Sequence, residues 1–428
     1  MSRKRIRIFS LLAIVLSLWL STATLPVRTR ASSSSESFIP GEVLVKLSRA
    51  SDLTAVAADY SLDPTPINQF GSRPIYRLRI SDGASARDKA AALIADPLGR
   101  VVYADPNFVH QAPEGRARVI YAGGFGDGDY RGQYAPARIR LPEAHTITRG
   151  AGITVAVLDT GVDFAHPALA GRLLPGYDFV DGDTNPSEEG VYGQNAEFGH
   201  GTHVAGLIAL VAPDAKIRPI RVLNPDGAGN VWVLAEALAF AMDPDGNPAT
   251  SDGANVINLS LSTLEKSRLL RDVIRAATCD ETQHQSPDDL PCFSPIGEGA
   301  VVVAAAGNNA SSNPEYPAGE GIKGALAVGA STQNDTLAEF SNFGSWVNVA
   351  APGQGILSSV PGGDFGSWSG TSMATPLVAG EAALVRAAFP SLKARDVTRR
   401  IIDNSKDIRA RVRFRIDAAA ALGLTPAH

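Results

Sequence analysis

The sequence has few of the residues and patterns that mark several protein classes. Only 2 of its 428 residues are cysteine, which excludes a disulfide-dense scaffold and a cysteine-rich zinc module. The main apolar run, Ile8 to Leu20, has 13 residues, short of the about 20 that a membrane-spanning helix needs, and no second run of that kind follows. The formal net charge of −5 argues against a nucleic-acid partner. Hydrophobic residues at 44% instead indicate a folded chain with a sizeable core.

The first 30 residues differ from the rest of the chain, because they hold six basic side chains and no acidic one. The stretch Arg3 to Arg7 precedes the apolar run, small residues at Ser21 to Ala23 follow it, and Ala31 offers a second cleavage site. This order is typical of a secretory signal peptide, which we predict over residues 1–31, with a membrane anchor as the alternative. We therefore expect a secreted protein, extracellular or periplasmic, without a stable membrane span.

The two cysteines lie close together in the sequence. Cys279 and Cys292 bracket the polar stretch CDETQHQSPDDLPC. Exported proteins keep disulfides, so we predict a local disulfide that closes this loop. Two free thiols are the alternative.

Three parts of the chain follow the signal segment. Residues 32–112 open on a Ser-rich linker and then read as strand, helix, strand, helix and strand, typical of a small α+β unit with a ferredoxin-like sheet. Residues 113–135 contain GGFGDGD and are predicted to be a flexible connector. Residues 136–428 alternate continuous apolar strands with helices, which indicates an α/β fold with a mostly parallel sheet covered on both faces.

Four polar residues stand at the ends of apolar strands or the starts of predicted helices. Asp159 ends ITVAVLD, Asn308 follows VVVAAAG, and His200 and Ser372 open helices. A serine hydroxyl is a poor nucleophile unless a histidine takes its proton and a carboxylate orients that histidine. The oxyanion that develops needs donors such as an asparagine amide and a backbone N–H. These residue types are therefore candidates for nucleophilic catalysis in a common crevice.

Other interpretations of the same motifs fit less well. Asp159 lies in Asp-Thr-Gly, which also occurs in aspartic proteases, but the chain has one copy and that mechanism needs two. Ser372 lies in Gly-Thr-Ser-Met-Ala and not in a Gly-x-Ser-x-Gly elbow. His200 and His203 lack a further Glu or His at metal-ligand spacing, which argues against a zinc site.

Taken together and in chain order, the strings AVLDTGVD, HGTHVAG, AAAGN and GTSMATP resemble the motifs of subtilisin-like serine proteases. The resemblance implies that Asp159, His200 and Ser372 form the catalytic triad and that Asn308 binds the oxyanion. The second histidine of His-Gly-Thr-His is then structural. The implied function is that of a secreted serine endopeptidase that hydrolyses peptide bonds in protein or peptide substrates.

Residues 32–112 resemble the propeptides of the same family, which act as intramolecular chaperones and inhibitors. The string VVYADPNFVHQAPE resembles the last strand and tail of such a propeptide, and that tail is expected to lie in the active-site cleft until it is cut. The chain is therefore expected to be an autoprocessed zymogen, inhibited by its own propeptide. A permanent accessory domain is the alternative.

Subtilisin-like enzymes bind a peptide as an extra strand between two edge segments. By motif match, these edges are Gly227, Ala228 and Gly229 on one side and Ser260, Leu261 and Ser262 on the other. Many family members have glycine where this chain has Ser262, and its side chain is expected to narrow the first specificity pocket.

One acidic segment, YDFVDGDTNP, resembles a calcium loop of some thermostable family members. It offers closely spaced oxygen ligands for a hard cation, namely Asp178, Asp181, Asp183 and Asn185. Structural calcium is therefore the expected cofactor, with a solvated acidic turn as the alternative.

Two other functions remain open from the sequence. A catalytically silent scaffold that binds partners usually lacks a triad member, and none is missing here. An enzyme dedicated to a single partner protein would carry the same motifs as a broad protease.

Overall fold

The computed structural model describes residues 37–116, 122–247, 250–279, 282, 286, 288–294 and 297–425. The predicted signal peptide lies outside the described residues. None of the helices in the described ranges is long and apolar enough to cross a membrane. Glu36–His428 make up one compact unit.

Regular structure runs through the described part of that unit. The strands, in chain order, are β1 (Phe38–Leu47), β2 (Asn68–Gln69), β3 (Ile75–Arg79), β4 (Val101–Gln111), β5 (Ala122–Phe125), β6 (Thr154–Asp159), β7 (Tyr177–Asp178), β8 (Lys216–Arg221), β9 (Ala228–Asn230), β10 (Val256–Leu259), β11 (Val301–Ala305), β12 (Ala325–Ser331), β13 (Val349–Pro352), β14 (Ile356–Val360), β15 (Asp364–Trp368), β16 (Lys406–Asp407) and β17 (Phe414–Arg415). The α-helices are α1 (Leu53–Asp59), α2 (Ala86–Ile94), α3 (Asp127–Gly132), α4 (Tyr134–Arg138), α5 (Leu141–Ala144), α6 (His200–Val211), α7 (Val231–Met242), α8 (Arg268–Thr278), α9 (Thr371–Ala388), α10 (Ala394–Asp403) and α11 (Ala418–Ala421).

The larger domain is built on a nine-stranded sheet in the order β16-β17-β13-β12-β11-β10-β6-β8-β7. Neighbouring strands from β17 to β7 pair in parallel, and β16 pairs antiparallel with β17. Strand β11 is VVVAA and is buried along its whole length, as expected for a sheet covered on both faces. The predicted α/β fold is confirmed.

Helices cover the two faces of this sheet and form two apolar cores. Val155 of β6 and Val303 of β11 pack with α6 and α9, whereas Ala156 and Val302 pack with α7 and α8. Successive residues of a strand point to opposite faces, so each strand contributes to both cores. This packing holds the carboxyl ends of β6 and β11 at one edge of the sheet.

The N-terminal unit is an antiparallel sheet in the order β2-β3-β1-β4, with α1 and α2 packed against it. Helix α2 begins after Ser85, whose hydroxyl accepts a hydrogen bond from the Asp88 N–H at 3.1 Å. The predicted α+β unit is confirmed.

This N-terminal unit binds the starts of two helices in the larger domain. Asp105 Oδ2 accepts from Arg268 N at 2.6 Å and from Ser267 Oγ at 3.1 Å, at the start of α8. Asn107 Oδ1 accepts from Trp232 N at 3.1 Å, at the start of α7. Unpaired N–H groups and the helix dipole favour such acceptors. Strand β4 also pairs antiparallel with β9, which extends the N-terminal sheet by a fifth strand.

The second half of the segment 113–135 is built into the larger domain. Strand β5 pairs with β15, and Tyr130 on α3 is 1% exposed. The Tyr130 hydroxyl donates to the Gly206 carbonyl oxygen at 2.6 Å, across 76 residues of sequence. The glycines of this segment predict a flexible connector, and the packed second half differs from that prediction. The local composition gives no sign of a hydrogen-bond partner 76 residues away.

Candidate active site

Asp159 and His200 lie side by side at the carboxyl edge of the central sheet. Asp159 is the last residue of β6 and His200 the first residue of α6. Gly199 precedes that helix with a φ of 93°, a left-handed conformation that glycine adopts without strain. His200 Nδ1 is 2.6 Å from Asp159 Oδ1, and both side chains are buried. A carboxylate in this position holds an imidazole in one tautomer.

Ser372 and Asn308 face the same crevice from two other elements. Ser372 is the second residue of α9, and Asn308 follows the end of β11. Asn308 Oδ1 accepts hydrogen bonds from Thr371 N and Thr371 Oγ1, both at 2.9 Å. These two donors fix the orientation of the amide, so that its NH₂ group points into the crevice. All four predicted catalytic side chains are therefore brought together.

Glu114 lies between these groups, although no motif predicts it. Its Oε2 accepts from Ser372 Oγ at 2.7 Å and lies 3.2 Å from His200 Nε2. Its Oε1 accepts from Asn308 Nδ2 at 2.9 Å. A Cβ at position 370 would lie 1.8 Å from Glu114 Oε1, so the approach requires Gly370. The only signal in the sequence is a lone acid at the end of VVYADPNFVHQAPE.

The charges of His200 and Glu114 depend on each other. Burial alone lowers the pKa of His200, but the carboxylates of Asp159 and Glu114 raise it well above its ordinary value. Burial alone raises the pKa of Glu114, but the hydrogen bond and charge of His200 outweigh it, so this pKa is lowered. The pair is therefore an imidazolium and a carboxylate. An imidazolium cannot take the proton of a serine hydroxyl.

The chain leading to Glu114, which we call the tail (residues 109–114), runs between two edges of the larger domain. It is extended as far as Gln111 and turns into a 3₁₀-helix at Pro113–Arg116. Gln111 N donates to the Ser262 carbonyl oxygen at 2.9 Å, and Ser262 N donates back to Gln111 at 2.8 Å. Ala112 N donates to the Gly227 carbonyl oxygen at 2.9 Å. The register of β4 on β9 pairs Val109 with Asn230, His110 with Gly229 and Gln111 with Ala228. Both predicted substrate edges thus bind the tail through main-chain atoms.

The side chains of the second edge have different surroundings. Ser260 Oγ donates to the Ser372 carbonyl oxygen at 3.0 Å, and Leu261 is buried in the apolar core beside α7 and α8. Ser262 Oγ donates to Glu315 Oε2 at 2.6 Å. The hydroxyl that we expect to narrow the pocket is therefore held by a buried carboxylate that no motif marks.

A further buried carboxyl group, Glu197, lies beside the tail. Carboxylate oxygens of Glu114 and Glu197 and a ring nitrogen of His200 lie within 4.8 Å of one another. Glu197 Oε2 is buried without a hydrogen-bond partner among the described residues. Burial raises the pKa of Glu197 to about 8. The positive charge of His200 acts to lower this pKa, and the negative charges of Glu114 and Asp159 act to raise it. Sequence motifs do not single out this residue.

His203 occupies a buried position behind the crevice. Its Nε2 lies 3.2 Å from the carbonyl oxygens of Ile356 and Gly366, and its ring stacks on Trp368 at 5.3 Å. Burial lowers the pKa of His203 to about 3, so the ring is neutral. This environment fits the structural role implied by the resemblance.

The predicted calcium loop already contains a cation of the protein itself. Arg221 Nη1 donates to Asp178 Oδ2 at 2.7 Å and to Asp181 Oδ2 at 2.5 Å. Arg221 Nη2 lies 2.9 Å from Glu189 Oε2. Glu189, which sequence motifs do not mark, therefore joins two of the predicted ligands around one guanidinium.

The other two predicted ligands make contacts within the loop. Asp183 Oδ1 accepts from Asn185 N at 2.8 Å, and Asn185 Oδ1 accepts from Ser187 Oγ at 2.7 Å. The side chains of Asp181 and Glu189 are 51% and 48% exposed, so a dissolved ion can reach them. Three carboxylates around one guanidinium leave a negative charge, and an all-oxygen donor set suits calcium. The residues present therefore fit a bound cation beside Arg221.

The two cysteines are bonded to each other. A disulfide joins Cys279 and Cys292, and neither thiol is free. Much of the loop that this bond closes lies outside the described residues.

Comparisons with known proteins follow the same division of the chain. Residues 150–419 match the subtilase family, and residues 25–107 match the fervidolysin N-terminal prodomain. Thermitase of Thermoactinomyces vulgaris is 40% identical over 263 residues, 59% of this chain and 81% of that protein. A thermophilic serine proteinase of Bacillus sp. (strain AK1) is 38% identical over 305 residues, 69% of this chain and 65% of that protein.

Solved structures agree with this result. A protease from Pseudoalteromonas arctica PAMC 21717 is 31% identical with a TM-score of 0.56, over 66% of this chain and 93% of that one. Fervidolysin from Fervidobacterium pennivorans is 22% identical with a TM-score of 0.69, over 92% of this chain and 62% of that one. At this identity the likeness shows only that the two proteins share a fold. The chain belongs to the subtilase family of serine endopeptidases and carries a fervidolysin-type N-terminal prodomain.

Proposed function

We propose that this protein is a secreted serine endopeptidase made as a zymogen that processes itself. The observation that carries the proposal is the convergence of three groups on Glu114. Ser372 Oγ, His200 Nε2 and Asn308 Nδ2 lie 2.7, 3.2 and 2.9 Å from its carboxylate oxygens. A peptide carbonyl under attack by serine needs the same nucleophile, base and oxyanion donor around it.

The reaction follows from the positions of these groups. Ser372 attacks the carbonyl carbon of the scissile peptide bond while His200 Nε2 takes the hydroxyl proton and then gives it to the leaving amine. Water then hydrolyses the acyl-enzyme with His200 as base. Asp159 orients the imidazole and stabilises its charged form. The Asn308 amide and the Ser372 backbone N–H donate to the oxyanion.

The prodomain is the inhibitor of this site. The tail fills the cleft, and Glu114 keeps His200 in the protonated form that cannot act as a base. Protein and peptide substrates bind in place of the tail, through main-chain hydrogen bonds to Gly227–Gly229 and Ser260–Ser262. We expect the activating cut between residues 113 and 122, because the tail on one side and β5 on the other are both paired with the enzyme domain.

Export and stabilisation complete the proposal. Residues 1–31 act as a signal peptide, and calcium stabilises the loop beside Arg221, where Asp178, Asp181 and Glu189 lie together. The exported protein keeps the bond between Cys279 and Cys292. Mass spectrometry of non-reduced peptides should recover these two cysteines in one species, and alkylatable thiols on native secreted material would contradict this part.

Replacing Ser372 by alanine tests the activity. Ser372→Ala should lose casein hydrolysis and keep its prodomain attached, because the nucleophile is absent. The exposed Ser312→Ala variant serves as the control and should be processed and active like the wild type. Casein hydrolysis by purified Ser372→Ala would overturn the proposal.

Two other functions give different results in the same assays. A silent scaffold would show no hydrolysis in wild type or variant. An enzyme dedicated to one partner would process itself but cleave few members of a peptide library, whereas broad digestion would cleave many.

A further inference from the structure

The tail shows how the residues of a bound peptide align with Ser372. Gln111 pairs with Ser262, and the tail turns into a 3₁₀-helix at Pro113–Arg116. In a substrate that stays extended, the same antiparallel register brings the residue that replaces Pro113 opposite Ser260. The Ser260 carbonyl oxygen lies 3.4 Å from Ser372 Oγ. A substrate residue in the place of Pro113 therefore presents its carbonyl to the serine, and the residue before it takes the second position before the scissile bond.

In the precursor that second position is filled by Ala112, which lies beside Glu197. A Cβ at Gly227 would lie 2.5 Å from Glu197 Cγ and 3.3 Å from Ala112 Cβ, so both side chains pack against the same glycine. His110 faces the same edge, because its Cε1 would lie 2.5 Å from a Cβ at Gly229. Residues two apart in a strand point the same way, so a longer side chain at the second position extends along this wall.

The Glu197 carboxyl group is left unsatisfied by the tail. Its Oε2 is buried and accepts no hydrogen bond among the described residues, and Ala112 carries no donor on its side chain. In the part of the chain that the structure describes, the cation beside Glu197 is the His200 ring, which is already bonded to Asp159 through Nδ1 at 2.6 Å. Leaving a buried acceptor unpaired costs free energy that a donor on the ligand recovers.

We propose that Glu197 selects substrates with lysine or arginine at the second position before the scissile bond. This inference rests on the proposed endopeptidase function and names its substrate class. An ammonium or guanidinium group brings several N–H donors and a positive charge. That charge lowers the raised pKa of Glu197 and so favours the carboxylate, and charge-assisted hydrogen bonds of this kind are the strong ones. A glutamate at the same position meets like charge and is disfavoured. Ala112 therefore makes the tail a weaker ligand here than a basic substrate.

Three fluorogenic peptides that differ only at the second position, with lysine, alanine or glutamate, test the inference on the self-processed enzyme. We expect kcat/KM for the lysine peptide to exceed that for the alanine peptide by about tenfold or more, and the glutamate peptide to be the poorest. Glu197→Gln should bring the lysine-to-alanine ratio close to one, mainly through a higher KM for the lysine peptide. Asp226→Asn removes an exposed carboxylate next to Gly227 and should keep the wild-type ratio.

The possible outcomes separate the two proposals. Equal cleavage of all three peptides by the wild type, or a preference for lysine that persists in Glu197→Gln, overturns the inference and leaves the endopeptidase intact. The comparison among peptides on the wild-type enzyme decides the matter even if Glu197→Gln does not fold. If the wild type cleaves none of them and matches Ser372→Ala, the endopeptidase proposal fails and the inference fails with it.

Discussion

Glu114 and His200 form a buried contact in which Oε2 and Nε2 are 3.2 Å apart, although 86 residues of sequence separate them. The contact joins the prodomain to the base of the proposed triad. It also fixes the proton that the base would have to release before Ser372 can react. The carboxylate of Glu114 therefore both occupies the site and keeps its base protonated.

The carboxylate of Glu114 should hold the tail in the cleft. In the uncleavable Ser372→Ala precursor, we expect Glu114→Gln to speed hydrogen exchange at the Gln111 and Ala112 amides about tenfold or more, because charged hydrogen bonds are lost. Glu339→Gln, at an exposed acid far from the tail, is the control and should leave exchange unchanged. Equal protection in Glu114→Gln and its parent would show that the carboxylate does not hold the tail.

Acid should weaken the docking of the tail through His110. The ring is fully buried with Nε2 3.0 Å from the Asn230 carbonyl oxygen, and burial lowers its pKa to about 4. When the tail leaves the cleft, the His110 ring takes up a proton near its ordinary pKa of about 6.5. The contribution of His110 to tail docking is therefore fully present above about pH 6.5 and is lost as the pH falls toward 4. Glu197, whose pKa burial raises to about 8, acts in the opposite sense.

A comparison of wild-type and variant tails isolates the effect of His110. In the Ser372→Ala precursor, the effect of Glu197 is common to both proteins. As the pH falls, the parent should therefore lose tail protection relative to His110→Leu, by up to about a hundredfold at pH 4.5. Hydrogen exchange between pH 7.5 and 4.5 measures this. Parallel curves for the two proteins would contradict the prediction.

Removing the Asn308 amide should reduce turnover more than binding. Asn308→Ala is expected to lower kcat by about 10²–10³-fold with little change in KM, a loss known for the corresponding asparagine of a subtilisin. The reason is that the amide donates to an oxyanion that exists only after attack. Steady-state kinetics on a single peptide substrate suffice, and a variant with a raised KM and normal kcat would assign Asn308 to ground-state binding instead.

Calcium should add to the stabilisation that Arg221 gives the acidic loop. A chelator is expected to lower the melting temperature of the wild type by several degrees, because a ligand bound only by the folded state is removed. Asp181→Ala should make the protein insensitive to the chelator, and Asp403→Ala, at an exposed acid elsewhere, should respond like the wild type. If the wild type melts at the same temperature with and without chelator, calcium does not stabilise the loop.

The fold could be predicted from sequence because its signals are local. The run VVVAAAG reads as a buried strand, and the structure has β11 at Val301–Ala305. The helix predicted from Ser372 begins one residue earlier, at Thr371. Asp159, His200 and Asn308 stand where their motifs predict, at the edge that parallel strands share.

Several of the groups that no motif marks have partners that lie far away in sequence. Glu114 lies 258 residues from Ser372, and Arg221 lies 43 residues from Asp178. Only the folded chain brings these charges together, so a lone Glu or Arg in a string carries no such signal. Tyr130 escapes prediction for the same reason, because glycines dominate its neighbourhood while its partner is on α6.

The central claim, that Ser372 is a nucleophile which Glu114 keeps latent, can be tested by covalent labelling. Processed enzyme and the full-length precursor, taken before it cuts itself, are treated with a fluorophosphonate, and the labelled residue is identified by peptide mass spectrometry. We predict rapid labelling of Ser372 in the processed enzyme and little labelling in the precursor. Labelling at another residue, or equal labelling of Ser372 in both forms, would contradict the account.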